Sequence, residues 1–155
     1  DDNDMTMTFV SELYAENQVP PLTERDVDDA EAKLKLWSTP QGYRWKFEIS
    51  DVVNMTMAHI HMGNSSTNGP VIVPILPLNA SMSEFADGNL AMISPPISGD
   101  FEYEGLITTD NFLGPLEGMT LDDFMMVLMS GDAYANIHSV EYPAGLIRGQ
   151  FEVDH

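Results

Sequence analysis

Apolar and polar residues alternate with a period of two along most of the chain, the pattern of strands with one buried and one solvated face. Met5, Met7, Phe9 and Ser11 alternate with Thr6, Thr8 and Val10. This predicts a first strand that ends before Val19-Pro20-Pro21, because proline cannot donate to a ladder. Ala30, Ala32, Leu34 and Leu36 then alternate with Glu31, Lys33, Lys35 and Trp37, and Tyr43, Trp45, Phe47 and Ile49 with Arg44, Lys46, Glu48 and Ser50. With Ser38-Thr39-Pro40-Gln41-Gly42 as the turn between them, these two runs predict a hairpin. A separate strand is expected over Met55 to Gly63, followed by an apolar strand over 71–78 whose prolines, Pro74 and Pro77, place it at a sheet edge. The segment 79–100 has no period and reads as loop, with a short strand after it near 101–108. The period changes once: Leu121, Phe124, Met125 and Leu128 follow helical spacing, Thr120 can cap, Asp122 and Asp123 suit the positive end, and Gly131 can close the helix. A short helix over about residues 121–130 is therefore expected. Two final strands hold His138 and then Ile147, Gly149, Phe151 and Val153, joined at Pro143-Ala144-Gly145. Short strands around one helix predict an antiparallel β-sandwich. At 155 residues this is one domain, 1–155, with an acidic N-terminal tail or strand at 1–11.

Charge narrows the partners. Twenty-five acidic residues against six basic ones give a net charge of −19, which repels nucleic acid and anionic membranes and favours cations or basic surfaces. Four of the six basic residues, Lys33, Lys35, Arg44 and Lys46, fall on the polar face of the hairpin. Cross-strand pairing with Glu31 and Glu48 is the simple account of that strip; docking of an acidic surface from a neighbouring copy is the other. Edge strands and the alternating N-terminal strand would also permit strand addition between copies. No apolar run is long enough to insert in a bilayer. The chain starts at Asp1 without methionine and carries three acceptor sequons, at Asn54, Asn64 and Asn79. Together these lead us to expect an extracellular, secreted glycoprotein whose signal segment is already removed.

The absence of cysteine excludes disulfides, zinc–thiolate and blue-copper sites and iron–sulfur clusters. Histidine remains. His59 and His61 are two apart in a strand and leave the same face, and His138 lies in another strand that can pair beside them. Three imidazoles on neighbouring strands suit a transition metal, with copper the expected ion; histidines packed against one another or against backbone carbonyls are the alternative. By parity Met55 and Met57 share the histidine face and Met62 is adjacent, a soft set for Cu(I), although methionine is first a core filler. The same parity puts Asn54 beside buried Ala58 and Ile60, a conflict that a bulge would resolve. His155 reads as a frayed end rather than a fourth ligand. Arg148 reads as buried against a carboxylate. The acidic clusters Asp1 to Asp4 and Asp26-Val27-Asp28-Asp29 lack the spacing of a Ca²⁺ loop and read as solvated surface. No nucleophile motif, phosphate loop or carboxylate pair of defined spacing occurs, so catalytic residues are not assigned.

Three separated pieces, Glu16-Asn17-Gln18-Val19-Pro20-Pro21, Ala58-His59-Ile60-His61, and Tyr134-Ala135-Asn136-Ile137-His138-Ser139 with Pro143-Ala144-Gly145-Leu146-Ile147-Arg148-Gly149-Gln150, occur in an order that spans nearly the whole chain. Jointly they resemble the chordin-repeat (CHRD) domain family. The resemblance implies an extracellular, immunoglobulin-like or superoxide-dismutase-like sandwich acting as a structural or binding module, self-assembling in one reading, onto which a metal site at His59, His61 and His138 can be carried. The other reading it permits is a copper-dependent redox enzyme with dismutase-like chemistry, disfavoured for superoxide by the charge of −19. Gln18 and Leu146 stand where the family usually has acidic residues, which removes any role that needs those carboxylates.

Overall fold

The computed structural model describes residues 6–23, 29–78, 80–88 and 90–154, with the backbone alone for 86–88. Among them are seven strands and one α-helix: β1 (Thr8–Tyr14), β2 (Glu31–Thr39), β3 (Gly42–Met62), β4 (Val71–Leu76), β5 (Ile97–Ile107), α1 (Leu121–Ser130), β6 (Ala133–Ser139) and β7 (Ile147–Val153). Every described strand pairing is antiparallel. The strands form one hydrogen-bonded sheet ordered β2-β1-β7-β6-β3-β4, and an additional β2–β3 pairing closes β1, β2, β3, β6 and β7 into a ring.

Closure depends on β3, which runs for 21 residues as a single strand where the sequence suggests two. Its first half, Tyr43 to Ile49, pairs with β2 and β5, and its second half, Ala58 to Met62, with β4 and β6. Between the halves Asp51 and Asn54 take positive φ values of 57° and 54°, and the register slips between Ile49 and Val52, Val52 and Met55, and Met55 and Met57. Irregularities of this kind bend and twist a strand, so β3 can leave one set of partners and join another. They also resolve the parity conflict at Asn54. Met55 turns into the hydrophobic core and is fully buried, away from the histidines, because the slip reverses its side.

The interior is the alternating face of these strands: Phe9 and Leu13, Leu34 and Leu36, Trp45 and Phe47, Ala58 and Ile60, Ala135 and Ile137, Ile147 and Phe151. Helix α1 forms where expected. Thr120 and Asp123 make a reciprocal capping box, and Gly131 ends the helix at φ 83°. It buries Phe124 and Leu128, and Phe124 packs edge-on against Tyr43 with ring centres 5.3 Å apart. Burial pushes the Tyr43 hydroxyl up to about 12.

Some expectations shift. β1 ends before Val19-Pro20-Pro21 as expected, but starts at Thr8, past the alternating Thr6 and Met7, with Met5 outside the described residues; it turns into a short 3-10 helix at Ala15–Asn17. It is also internal, bonded to β2 on one side and β7 on the other, so Phe9 lies opposite both Leu36 and Val153; it is not free to be donated. β5 begins at Ile97, inside the stretch expected to be loop, and a 3-10 helix occupies Met82–Gly88. The first residues of β5, Ile97 to Asp100, are exposed or half-buried and give no alternation, which begins only at Phe101. The proline-bearing β4 is an edge, and among the described residues both it and β5 pair only with β3. The hairpin's basic strip finds acidic neighbours: Lys46 bridges Glu102 on β5 at 2.8 Å and Glu48 on its own strand at 3.8 Å, and Lys35 bridges Asp154, just past the end of β7, at 3.3 Å. No described helix is long and apolar enough to cross a membrane.

Candidate metal centre

Strand β6 is buried on both sides along its whole length. Ala133, Ala135 and Ile137 face the core, while Tyr134, Asn136 and His138 face the other way, beneath the connections near 15–22, 63–70 and 140–146. Antiparallel register sets His138 opposite Met57, Asn136 opposite His59 and Tyr134 opposite His61. Opposed residues share a face, so the i, i+2 pair from β3 and the single histidine from β6 converge. His59, His61 and His138 are 1%, 8% and 6% exposed, and each offers a ring nitrogen within 4.8 Å of the others.

The connections orient two of the rings. His61 Nδ1 lies 2.9 Å from the Gly69 carbonyl and His138 Nδ1 2.9 Å from the Pro143 carbonyl. A carbonyl can only accept, so in each case Nδ1 carries the proton and Nε2 keeps its lone pair. Among the described residues both of these Nε2 atoms, and both ring nitrogens of His59, are buried without a hydrogen-bond partner. Burial, with repulsion from His138 and His61, drives His59 down to about 2. His61 falls to about 4, chiefly through burial and against the pull of the Gly69 carbonyl, with His138 and Arg148 adding to the fall. His138 is lowered by burial and partly restored by the Pro143 carbonyl. At neutral pH the cluster is thus three uncharged imidazoles with open lone pairs.

Chemically this set fits a transition metal. Three imidazoles around one ion at about 2.0–2.1 Å hold their nitrogens about 3.3–3.5 Å apart, and a spread of at most 4.8 Å reaches that by small side-chain rotations. A structural zinc site normally has four protein ligands, whereas three leave a position open.

Around the histidines lies a polar layer that the alternation alone did not reveal. Tyr134 stacks on His61, with ring centres 4.9 Å apart and planes 5° from parallel, and its hydroxyl accepts from Gly69 N. Arg148 is buried with its guanidinium carbon 3.5 Å from the centre of the Tyr134 ring. It donates to Asn64 O, Asn68 Oδ1 and Gln150 Oε1. The carboxylate expected beside Arg148 is not among its described partners; carbonyl and amide oxygens and an aromatic face take that place. Gln18, in the proline-rich segment, accepts from Asn136 Nδ2 at 3.1 Å. A side chain at Gly145 would run into both of those amides, and Gly145 has φ 140°. The signal for this layer was present as polar residues at every second position, Tyr134, Asn136, His138 and then Arg148 and Gln150, on strands whose other face is core.

A search of protein families matches a CHRD domain over residues 9–151, nearly the whole chain. The chain belongs to the CHRD domain family. No curated protein sequence and no solved structure shows significant similarity to it. CHRD domains occur in extracellular proteins, and in this CHRD domain the three segments that carried the resemblance meet at one place: the proline-rich segment and the segment after β6 roof the histidines that β3 and β6 supply. Of the other residues singled out, Met57 lies opposite His138 and Met62 packs against the core. Asn54 is half-buried and donates to Glu141 Oε2 at 3.0 Å. Asn64 is exposed and its side-chain oxygen accepts from Ser66 N. Asn79, His155, Asp1 to Asp4, Asp26 and Asp28 fall outside the described residues.

Proposed function

We propose that this CHRD domain is a secreted extracellular binding module whose three histidines, His59, His61 and His138, hold one copper ion. What carries the reading is the set of four buried imidazole nitrogens without partners. An unsatisfied buried polar atom costs about 1–3 kcal/mol, and a metal ion removes that cost at three of them together. Neutral imidazole donors without cysteine favour Cu²⁺ over other divalent ions. Within this reading the ring of strands functions as a two-layered, dismutase-like sandwich, and Asn54, Asn64 and Asn79 are its glycosylation sites. The test is metal analysis of protein stripped with chelator and then reloaded. One copper per chain is expected, abolished in His59→Ala; wild-type uptake no greater than that of a His59→Ala/His61→Ala/His138→Ala variant would refute it.

Self-association is the accompanying proposal, supported by β4 and β5, which among the described residues pair with no strand other than β3, although Leu113 N also donates to Ile72 O of β4. Because β1 is held on both sides, assembly would use those edges. Charge substitutions on β5 that leave native particle size unchanged would argue against that edge. A redox enzyme at the same histidines would have to draw an anionic substrate such as superoxide past Glu141 on a chain of net charge −19, and electrostatics opposes this.

A further inference from the structure

We infer that the fourth position at the three-histidine centre is open, and that Asn136 holds the ligand there, a water molecule or a small primary amine or alcohol in its place. This rests on the metal-binding reading and adds a role for a residue that is not itself one of the three ligands.

Three observations converge on Asn136. It sits directly opposite His59 in the β3–β6 ladder and two residues from His138, so its side chain belongs to the histidine face. It is 2% exposed, and its Nδ2 is committed to Gln18 Oε1, which fixes the amide with its oxygen turned away from that bond. That oxygen, Oδ1, is buried and has no hydrogen-bond partner among the described residues. A carboxamide oxygen can only accept. The missing partner is therefore a donor, which a coordinated water, amine or alcohol supplies and a bare anion does not.

A cleft of about 410 Å³ reaches one side of the cluster: His61, Tyr134 and Asn136 line it together with Val19, Pro20 and Pro143, whereas His59 and His138 do not. Glu141 also lines it, and its negative charge disfavours anions and suits a neutral or cationic amine. The walls are apolar enough to take a short alkyl group. Gly145 packs directly against the two amides and holds them in place, since any side chain there would run into Gln18 and Asn136.

The test uses the full chain loaded with one equivalent of Cu²⁺. Pulsed electron paramagnetic resonance in D₂O reads nitrogen couplings from the imidazoles and, independently, deuterons on a bound water. We expect both in the wild type. Methylamine should then displace the water saturably, with an affinity roughly tenfold lower in Asn136→Leu, while Asn136→Asp, which keeps an acceptor, retains the water signal. Imidazole couplings without the strongly coupled deuterons of a copper-bound water, beyond the weak ones of the exchanged imidazole N–H groups, would overturn the open position and leave the metal site intact. Equal methylamine affinity in the wild type and Asn136→Leu would overturn the role of Asn136. Absence of copper from the wild type would overturn this inference and the metal-binding reading together.

Discussion

Acidifying the metal-free protein should unfold it through the histidines before most of its carboxylates are protonated. In the unfolded chain each imidazole takes up a proton near its ordinary value of 6.5, whereas in the folded protein His61 does so at about 4 and His59 at about 2. Below pH 6.5 the unfolded state therefore binds more protons, so stability is fully present above that value and falls as the pH drops. The slope approaches 1.4 kcal/mol per pH unit for each histidine, until His61 titrates near 4. At pH 5 the loss is about 2 kcal/mol for each of His59 and His61, about 4 kcal/mol together. His138 acts in the same direction. Against a typical total of 5–15 kcal/mol for a single domain this is a large fraction. Protonating carboxylates relieves self-repulsion in a chain of net charge −19 and works the other way, so the comparison has to be differential. Urea unfolding of chelator-treated wild type and of His59→Gln/His61→Gln should be followed from pH 7.5 to 5. The wild type should lose about 4 kcal/mol more than the variant over that range. Parallel curves would mean that the imidazoles titrate at ordinary values in a hydrated pocket, and the argument for a dry cluster of neutral donors would fail.

Arg148→Met should cost about 3 kcal/mol, because it strips donors from the Asn64 carbonyl and the Asn68 amide oxygen and removes the cation from Tyr134. Arg148→Lys should recover little of this, since an ammonium cannot fork to both oxygens; urea midpoints check both, and a loss below about 1 kcal/mol would contradict the layer described. Phe124→Ala should cost about 3–5 kcal/mol by emptying the contact with Tyr43 and Phe112. Its copper stoichiometry should be unchanged, because the core and the histidines lie on opposite faces of β6; calorimetric unfolding alongside metal analysis separates the two effects.

The hairpin and helix were legible because each follows a local rule: strict alternation for β2 and the first half of β3, a cap, a stripe and a closing glycine for α1. The joining of that half-strand to the histidine strand was not legible, because what keeps β3 continuous is two residues with positive φ, neither of them glycine. The same local irregularity misdirected the parity argument and placed Met55 on the wrong side. At the metal centre the three histidines could be read from spacing and pairing, but Tyr134, Asn136, Arg148 and Gln150 could not be told from a solvated face. Only the overlying connections make that face an interior, and such connections follow no period. Arg148 shows the limit of a rule based on residue type: a buried guanidinium suggested a carboxylate, and carbonyl and amide oxygens met the need instead.

The antiparallel pairing of β1 with β7 has a mechanical consequence. Phe9 lies opposite Val153, and Asp154 N donates to Thr8 O, so the segments leading into and out of the sheet depart side by side from one pole. Tension applied through both would open the β1–β7 ladder one hydrogen bond at a time, like a zipper, instead of shearing all of its bonds together. A string of such units would yield at low force at this seam, while the long β3 strand on the far side of the ring remained folded.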